Sequence, residues 1–153
     1  MNDDWINHTC QVEVPVGIEQ VWDLWADLSL IPHWMKWIRS VEMVDKDLSR
    51  WTLDTRGLTF SWISNTHTVI EHQIIGWRSV DGLANQGTLR FYPRKDSTIV
   101  RLTISYVLPG LLKFMDTLFL GRAVESTIQA DMERFRDYAI QQAQTSIVDP
   151  VNE

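Results

Sequence analysis

The chain has a single cysteine, Cys10, in 153 residues. That excludes an internal disulfide and any metal site built on several thiolates. Positive charge is also scarce: 14 Lys and Arg stand against 20 Asp and Glu, a net charge of −6. Sequence-independent nucleic-acid binding relies on clustered basic side chains, so it falls away as a function class, and nothing favours attraction to anionic lipid. No apolar run is long enough to span a bilayer. The opening Met-Asn-Asp-Asp-Trp-Ile-Asn-His has neither the basic start nor the apolar core of a signal peptide. A cytoplasmic protein of one domain, residues 1–153 with a core of about 8–143, is the expectation.

Chemical motifs are missing as well. There is no Gly-x-Ser-x-Gly turn and no phosphate-cradling glycine loop. His8, His33, His67 and His72 lack a second ligand one helical turn away, so no metal and no other cofactor is expected. Cys10 lies on the apolar face of a strand, where a thiol behaves as a small hydrophobe. Asp and Glu fall mostly at turns and on an outer helix face, and no carboxylate pair stands out.

What the chain has in excess is tryptophan, at positions 5, 22, 25, 34, 37, 51, 62 and 77. Each supplies a large apolar body with one hydrogen-bond donor. Such a surplus suits a bulky core, or the wall of a pocket for a flat apolar ligand.

Hydrophobic periodicity orders the chain. Residues 8–14 alternate, with Cys10, Val12 and Val14 on one face, and predict a half-buried strand stopped at Pro15. Ile18, Val21, Trp22 and Trp25 follow a short amphipathic helix, and residues 30–37 read as a second helical turn with Pro32 near its start. Alternating runs then predict strands at about 38–45, 49–56, 58–70, 73–80, 87–93 and 98–107, separated by tight turns such as Arg56-Gly57. Consecutive strands with short turns make an antiparallel meander. From Leu111 to Ala143 one long helix follows, with Leu111, Met115, Leu118, Val124, Ile128, Met132, Phe135 and Ala139 along one face and Glu125, Gln129, Glu133 and Arg136 opposite. Gly121 inside it costs about 1 kcal/mol relative to alanine, which points to close packing or to the border of a cavity. The fold class is α+β: a curved seven-stranded antiparallel sheet wrapped around a long C-terminal helix.

Val21-Trp-Asp-Leu-Trp-Ala-Asp-Leu28, Ile31-Pro-His-Trp-Met35, Ile38-Arg-Ser-Val-Glu42, Phe60-Ser-Trp62, Gly76-Trp-Arg-Ser79, Asn85-Gln-Gly-Thr-Leu-Arg-Phe91 and Asp131-Met-Glu-Arg-Phe135 occur in that order. Together they resemble the START-like helix-grip superfamily, in its polyketide-cyclase/dehydrase and coenzyme-Q-binding branch, over about residues 8–143. The resemblance implies a cavity between sheet and long helix that holds an apolar small molecule. Its members include lipid and quinone carriers, aromatic polyketide cyclases and plant hormone-binding proteins, so the fold does not by itself decide the function.

The candidate ligand-binding residues are Trp25, Trp37, Trp62, Thr66, Trp77, Phe91, Tyr106, Met115, Leu118 and Gly121. Tyr106 shares the apolar face of its strand with Ile104 and could place its hydroxyl inside. Ser64, Arg78 and Arg90 are further polar strand residues, with Arg90 alternating outward and His67 on an outer face with Ile63 and Val69. Leu112, Phe119 and Leu120 fall off the apolar stripe of the helix. With Trp34 and Trp37 they are expected to form a lip over the cavity, or to touch a membrane transiently while ligand exchanges. The favoured function is binding or transport of a lipid, isoprenoid quinone or similar compound, with the balance of residues against catalysis. The alternatives are a polyketide-type cyclase or dehydratase, which needs little more than a shaped pocket, and a protein-interaction module. The two classes separate on the tryptophans: a cavity keeps them inside, whereas an interaction module exposes several in one patch.

Overall fold

The computed structural model describes residues 5–112 and 117–148, and their side chains except those of 111, 117–119 and 146–148. Seven strands form one antiparallel sheet: β1 (Trp5–Val14), β2 (Ile38–Met43), β3 (Leu48–Thr55), β4 (Leu58–Ile70), β5 (Ile74–Gly82), β6 (Asn85–Pro93) and β7 (Thr98–Val107). Their order across the sheet is β1-β7-β6-β5-β4-β3-β2, so β2 to β7 are a meander and β1 returns to pair with β7. Between β1 and β2 run α1 (Ile18–Ala26) and a 3-10 turn (Leu28–His33). After β7 come a second 3-10 turn (Gly110–Leu112) and α2 (Thr117–Val148).

The alternation that predicted the strands is the burial pattern observed. On β1, His8, Cys10, Val12 and Val14 are buried and their neighbours between them are exposed. On β7, Thr98, Val100 and Leu102 are buried in the same way. The β3–β4 hairpin closes on Arg56 and Gly57, with φ of 50° and 82°. Positive φ at both central residues gives the turn the twist of the flanking strands. Bulges between β4 and β5, at Ile63/Ser64 and Thr66/Thr68, bend that part of the sheet.

The inner face of α2 carries Ile128, Met132, Phe135 and Ala139, all buried. Phe135 stacks with Trp25 and Trp34 at ring-centroid distances of 4.9 Å each, and Trp34 lies 5.0 Å from Trp25 and 5.3 Å from Tyr138. Burying a side chain of this size contributes about 1.5–3 kcal/mol, and each well-placed aromatic pair about 0.5–1.5 kcal/mol more. This stack joins α1, the 3-10 turn and α2 into one layer at one end of the sheet.

Three local expectations need correcting. Leu111 and Leu112 belong to a 3-10 turn rather than to the long helix, and α2 extends beyond Ala143 to Val148. Pro32 lies near the end of its turn, not its start; a six-residue 3-10 segment makes few N–H bonds, so the missing donor is tolerated. Trp34 is 1% exposed within the aromatic stack, so it cannot serve as a movable lip.

Candidate functional site

The concave face of the sheet and α2 do not meet everywhere. Between them lies a cavity of about 390 Å3. Its walls come from every part of the fold: Trp37 before β2, Trp51 and Leu53 of β3, Trp62 of β4, Trp77 of β5, Ile104 of β7 and Val124 of α2. Five of the eight tryptophans, Trp25, Trp37, Trp51, Trp62 and Trp77, line it. None of the eight is exposed. That distribution is the one a cavity demands and an interaction patch would not show.

Strand pairing sets the indoles in place. Trp51 and Trp62 are direct partners across β3 and β4, and their rings stack at 5.9 Å with an interplanar angle of 15°. Trp51 Nε1 donates to Ser49 Oγ at 2.9 Å. Trp77 stands opposite Gly87 on β6, and the absence of a side chain there makes room for it. A Cβ on Gly87 would fall 2.6 Å from the Trp77 ring and 2.5 Å from the Thr103 carbonyl oxygen. Trp77 Nε1 donates to Asn85 Oδ1 at 3.3 Å, while Asn85 Nδ2 donates to the Leu83 carbonyl at 2.9 Å. A second depression of about 340 Å3 adjoins the cavity, sharing Phe60, Leu83, Leu108 and Pro109 with it.

The wall is mainly apolar, with a few polar groups fixed in it. Asp131 of α2 is 3% exposed. Its Oδ1 accepts the backbone N–H of Lys36 at 3.1 Å and is paired with the Arg134 guanidinium. Arg134 Nε in turn donates to the Trp34 carbonyl at 3.1 Å. Burial pushes the Asp131 carboxyl above its ordinary value, against the opposing pull of these partners. Tyr106 also lines the cavity, and its hydroxyl lies 3.0 Å from His8 Nε2. Burial, with Glu125 nearby, pushes its phenol up to about 12. Among the described wall residues there is no cysteine and no histidine. Among the described residues no three of His, Cys, Asp and Glu come together as a metal ion would require, and no helix is long and apolar enough to cross a membrane.

A family model described as polyketide cyclase / dehydrase and lipid transport matches residues 14–133. The chain belongs to that family. Its structural neighbours agree on the fold. DR_A0006 from Deinococcus radiodurans is 26% identical, with a TM-score of 0.69 over 86% of this chain and 95% of its own. A START superfamily protein from Mycobacterium smegmatis is 15% identical, TM-score 0.74, over 90% and 98%. The Zhui aromatase/cyclase from Streptomyces sp. R1128 is 16% identical, TM-score 0.71, over 97% and 99%. No curated protein matches the chain. The helix-grip resemblance carried by Val21–Leu28 and its companions therefore stands, as far as the polyketide cyclase / dehydrase family and not to coenzyme Q in particular. Membership supports ligand binding in general.

Of the residues proposed from the sequence, Trp25, Trp37, Trp62, Thr66, Trp77 and Tyr106 are brought together on the cavity wall. Phe91 is not. It is 4% exposed and packs edge-on against Trp22 at 5.2 Å, in the core beneath α1. Its strand face is the inner one, but α1 rather than the cavity covers that end of β6. Gly121 is also off the wall: a Cβ there would make ordinary van der Waals contact with His8 Cε1, at 3.9 Å, so neither a cavity border nor close packing accounts for this glycine. Met115 and the side chain of Leu118 lie outside the described residues. Arg78, Arg90 and His67 are exposed, away from the cavity. Leu112 and Leu120 do border it.

Four residues were missed. Trp51 shares the face of Ser49 and Leu53, a pattern readable in β3. Asn85 begins β6 two residues earlier than the apolar run suggested. Asp131 sits between Ile128 and Phe135 on the inner face, a placement its charge disguised. His8 opens the alternating run read over residues 8–14, and its burial follows from sharing a face with Cys10, Val12 and Val14.

Proposed function

We propose that this chain binds a compact, largely apolar small molecule between the sheet and α2, and carries it without converting it. The observation that supports this most is the cavity of about 390 Å3 walled by five indoles. Small-molecule sites span roughly 300–1,000 Å3 and combine apolar walls with a few placed polar groups. A volume at the low end of that range suits a ring system, a short isoprenoid quinone or a single acyl chain rather than a two-chain lipid. Leu112 and Leu120 at the cavity border, with the adjoining depression, supply an entry for ligand, and transient contact of this edge with a membrane belongs to the same proposal. A cyclase or dehydratase is the second reading, favoured by Tyr106 and Asp131 on the wall and by the aromatase/cyclase neighbour.

The test is titration with a quinone, a fatty acid and a polycyclic aromatic, read by tryptophan emission and thermal unfolding. A ligand at 100 times its Kd stabilises by about 2.7 kcal/mol, which raises Tm by roughly 5–10 °C in a chain this size. Saturable quenching with that shift is the expected result. A flat response from all three, up to their solubility, would refute the carrier reading, and turnover of a polyketide-like substrate would favour the second.

A further inference from the structure

Besides the Asp131–Arg134 pair, a polar chain through Tyr106 runs from the cavity wall to the protein surface. Tyr106 lines the cavity. Behind it His8, with a side chain 6% exposed, places Nε2 3.0 Å from the Tyr106 hydroxyl and Nδ1 3.5 Å from Glu125 Oε1. The His8 and Tyr106 rings are stacked, with centroids 5.6 Å apart at 29°. The Glu125 carboxylate is 57% exposed on α2. Gly121, one turn before Glu125, lies beside the His8 ring, and a Cβ there would be 3.9 Å from His8 Cε1.

The proton order in this chain follows from elementary hydrogen-bond chemistry. With His8 neutral, Nδ1, which lies 3.5 Å from a carboxylate that only accepts, is the nitrogen placed to carry the proton. The other nitrogen of a neutral imidazole is then an acceptor, and the Tyr106 O–H donates to it. The Tyr106 oxygen is left to accept. Thr55, Ser64, Thr66 and Thr127 also line the wall, but a serine or threonine hydroxyl turns to suit either kind of partner, and Arg56 on the same wall can only donate. The side chain of Asn85 is engaged by Leu83 and Trp77, and Asp131 Oδ1 by Lys36 and Arg134. Tyr106 differs from them in having its proton direction set from behind.

We propose that Tyr106, positioned by His8 and Glu125, is a subsite for a hydroxyl group on an otherwise apolar ligand, an alcohol or phenol whose O–H donates to the Tyr106 oxygen. This rests on the apolar-ligand reading and names the chemistry of the polar end of that ligand. A ketone of the same shape has no proton to give and gains nothing at this position.

Three rigid probes separate the possibilities: fluorene, 9-fluorenol and 9-fluorenone, measured by equilibrium dialysis. Tyr106→Phe is expected to weaken 9-fluorenol by about fivefold, the scale of one net hydrogen bond, and to change fluorene and 9-fluorenone less than about twofold. Fluorene affinity is the internal check that the variant has kept its cavity. His8→Leu frees the Tyr106 hydroxyl to donate, so the 9-fluorenol to 9-fluorenone affinity ratio is expected to fall. A merely structural His8 would move all three probes together. Unchanged 9-fluorenol binding in Tyr106→Phe, or a loss for 9-fluorenone equal to that for 9-fluorenol, would overturn the subsite while leaving the cavity reading intact. Failure of all three to bind the unaltered protein would overturn both.

Discussion

Replacing Val124 with Trp tests whether the space between α2 and the sheet is open in solution. Val124 lies on the helix face that borders the cavity, and the cavity measures about 390 Å3. Left sealed and empty, such a volume at about 24 cal/mol per Å3 would cost ~9 kcal/mol, comparable with the entire stability of an ordinary domain. The space is therefore one for solvent or ligand, and filling it from within is favourable. An indole in place of the valine side chain would remove on the order of 100 Å2 more apolar surface from water, worth about 2.5 kcal/mol, against some loss from imperfect fit. Val124→Trp is expected to unfold at the same temperature as the unaltered protein or a few degrees higher, and to lose the thermal shift given by an apolar ligand. Met132 is the control: it is fully buried and not on the cavity wall, where the same residue overpacks at a cost of about 1–3 kcal/mol. Met132→Trp should therefore lower Tm by roughly 2–12 °C. Differential scanning calorimetry with and without ligand reads both. If Val124→Trp falls as far as Met132→Trp, the space is already filled and the cavity argument fails.

Two further outcomes follow from other residues. Gly87→Ala puts a Cβ 2.5 Å from the Thr103 carbonyl oxygen and 2.6 Å from the Trp77 ring. It is expected to destabilise by about 1–3 kcal/mol and to change Trp77 emission, and a variant with unaltered Tm and spectrum would contradict the tight β6–β7 packing. Asp131 is raised above 3.8 in the folded state, chiefly by burial. The folded protein then holds this proton more tightly than the unfolded chain, so the contribution is present below 3.8 and is lost as pH rises through the folded value. Measured by denaturant unfolding, the stability of the unaltered protein relative to Asp131→Asn should fall with rising pH over that window and level off above it. A difference that grows with pH would reverse the assignment.

Local pattern alone determined which residues become strands and which faces turn inward. Val100 and Leu102 are buried on β7, and Trp62 on β4, because a side-chain period of two leaves a strand one choice of buried face once its apolar set is written. The long helix and its inner stripe through Ile128, Met132 and Phe135 were legible for the same reason, with a period of 3.6. The tryptophan surplus suited a bulky core or a pocket wall alike, and the fold uses both: Trp25, Trp37, Trp62 and Trp77 line the cavity, while Trp22 and Trp34 are buried in the core. What periodicity could not supply was distance along the sheet. Phe91 and Tyr106 both sit on inner faces, yet α1 and Trp22 cover the first, while the second borders open space. Nor could it show that His8 and Tyr106, 98 residues apart, are brought within 3.0 Å by the pairing of β1 with β7. Asp131 reads as half of a helix-surface ion pair until the segment at Lys36 folds over it. Whether inward-facing side chains fill the interior or leave a cavity depends on how far sheet curvature holds α2 away, and that is set by bulges and layer packing rather than by any one segment. The sequence determined the faces; only the tertiary structure decided which of them meet one another and which meet empty space.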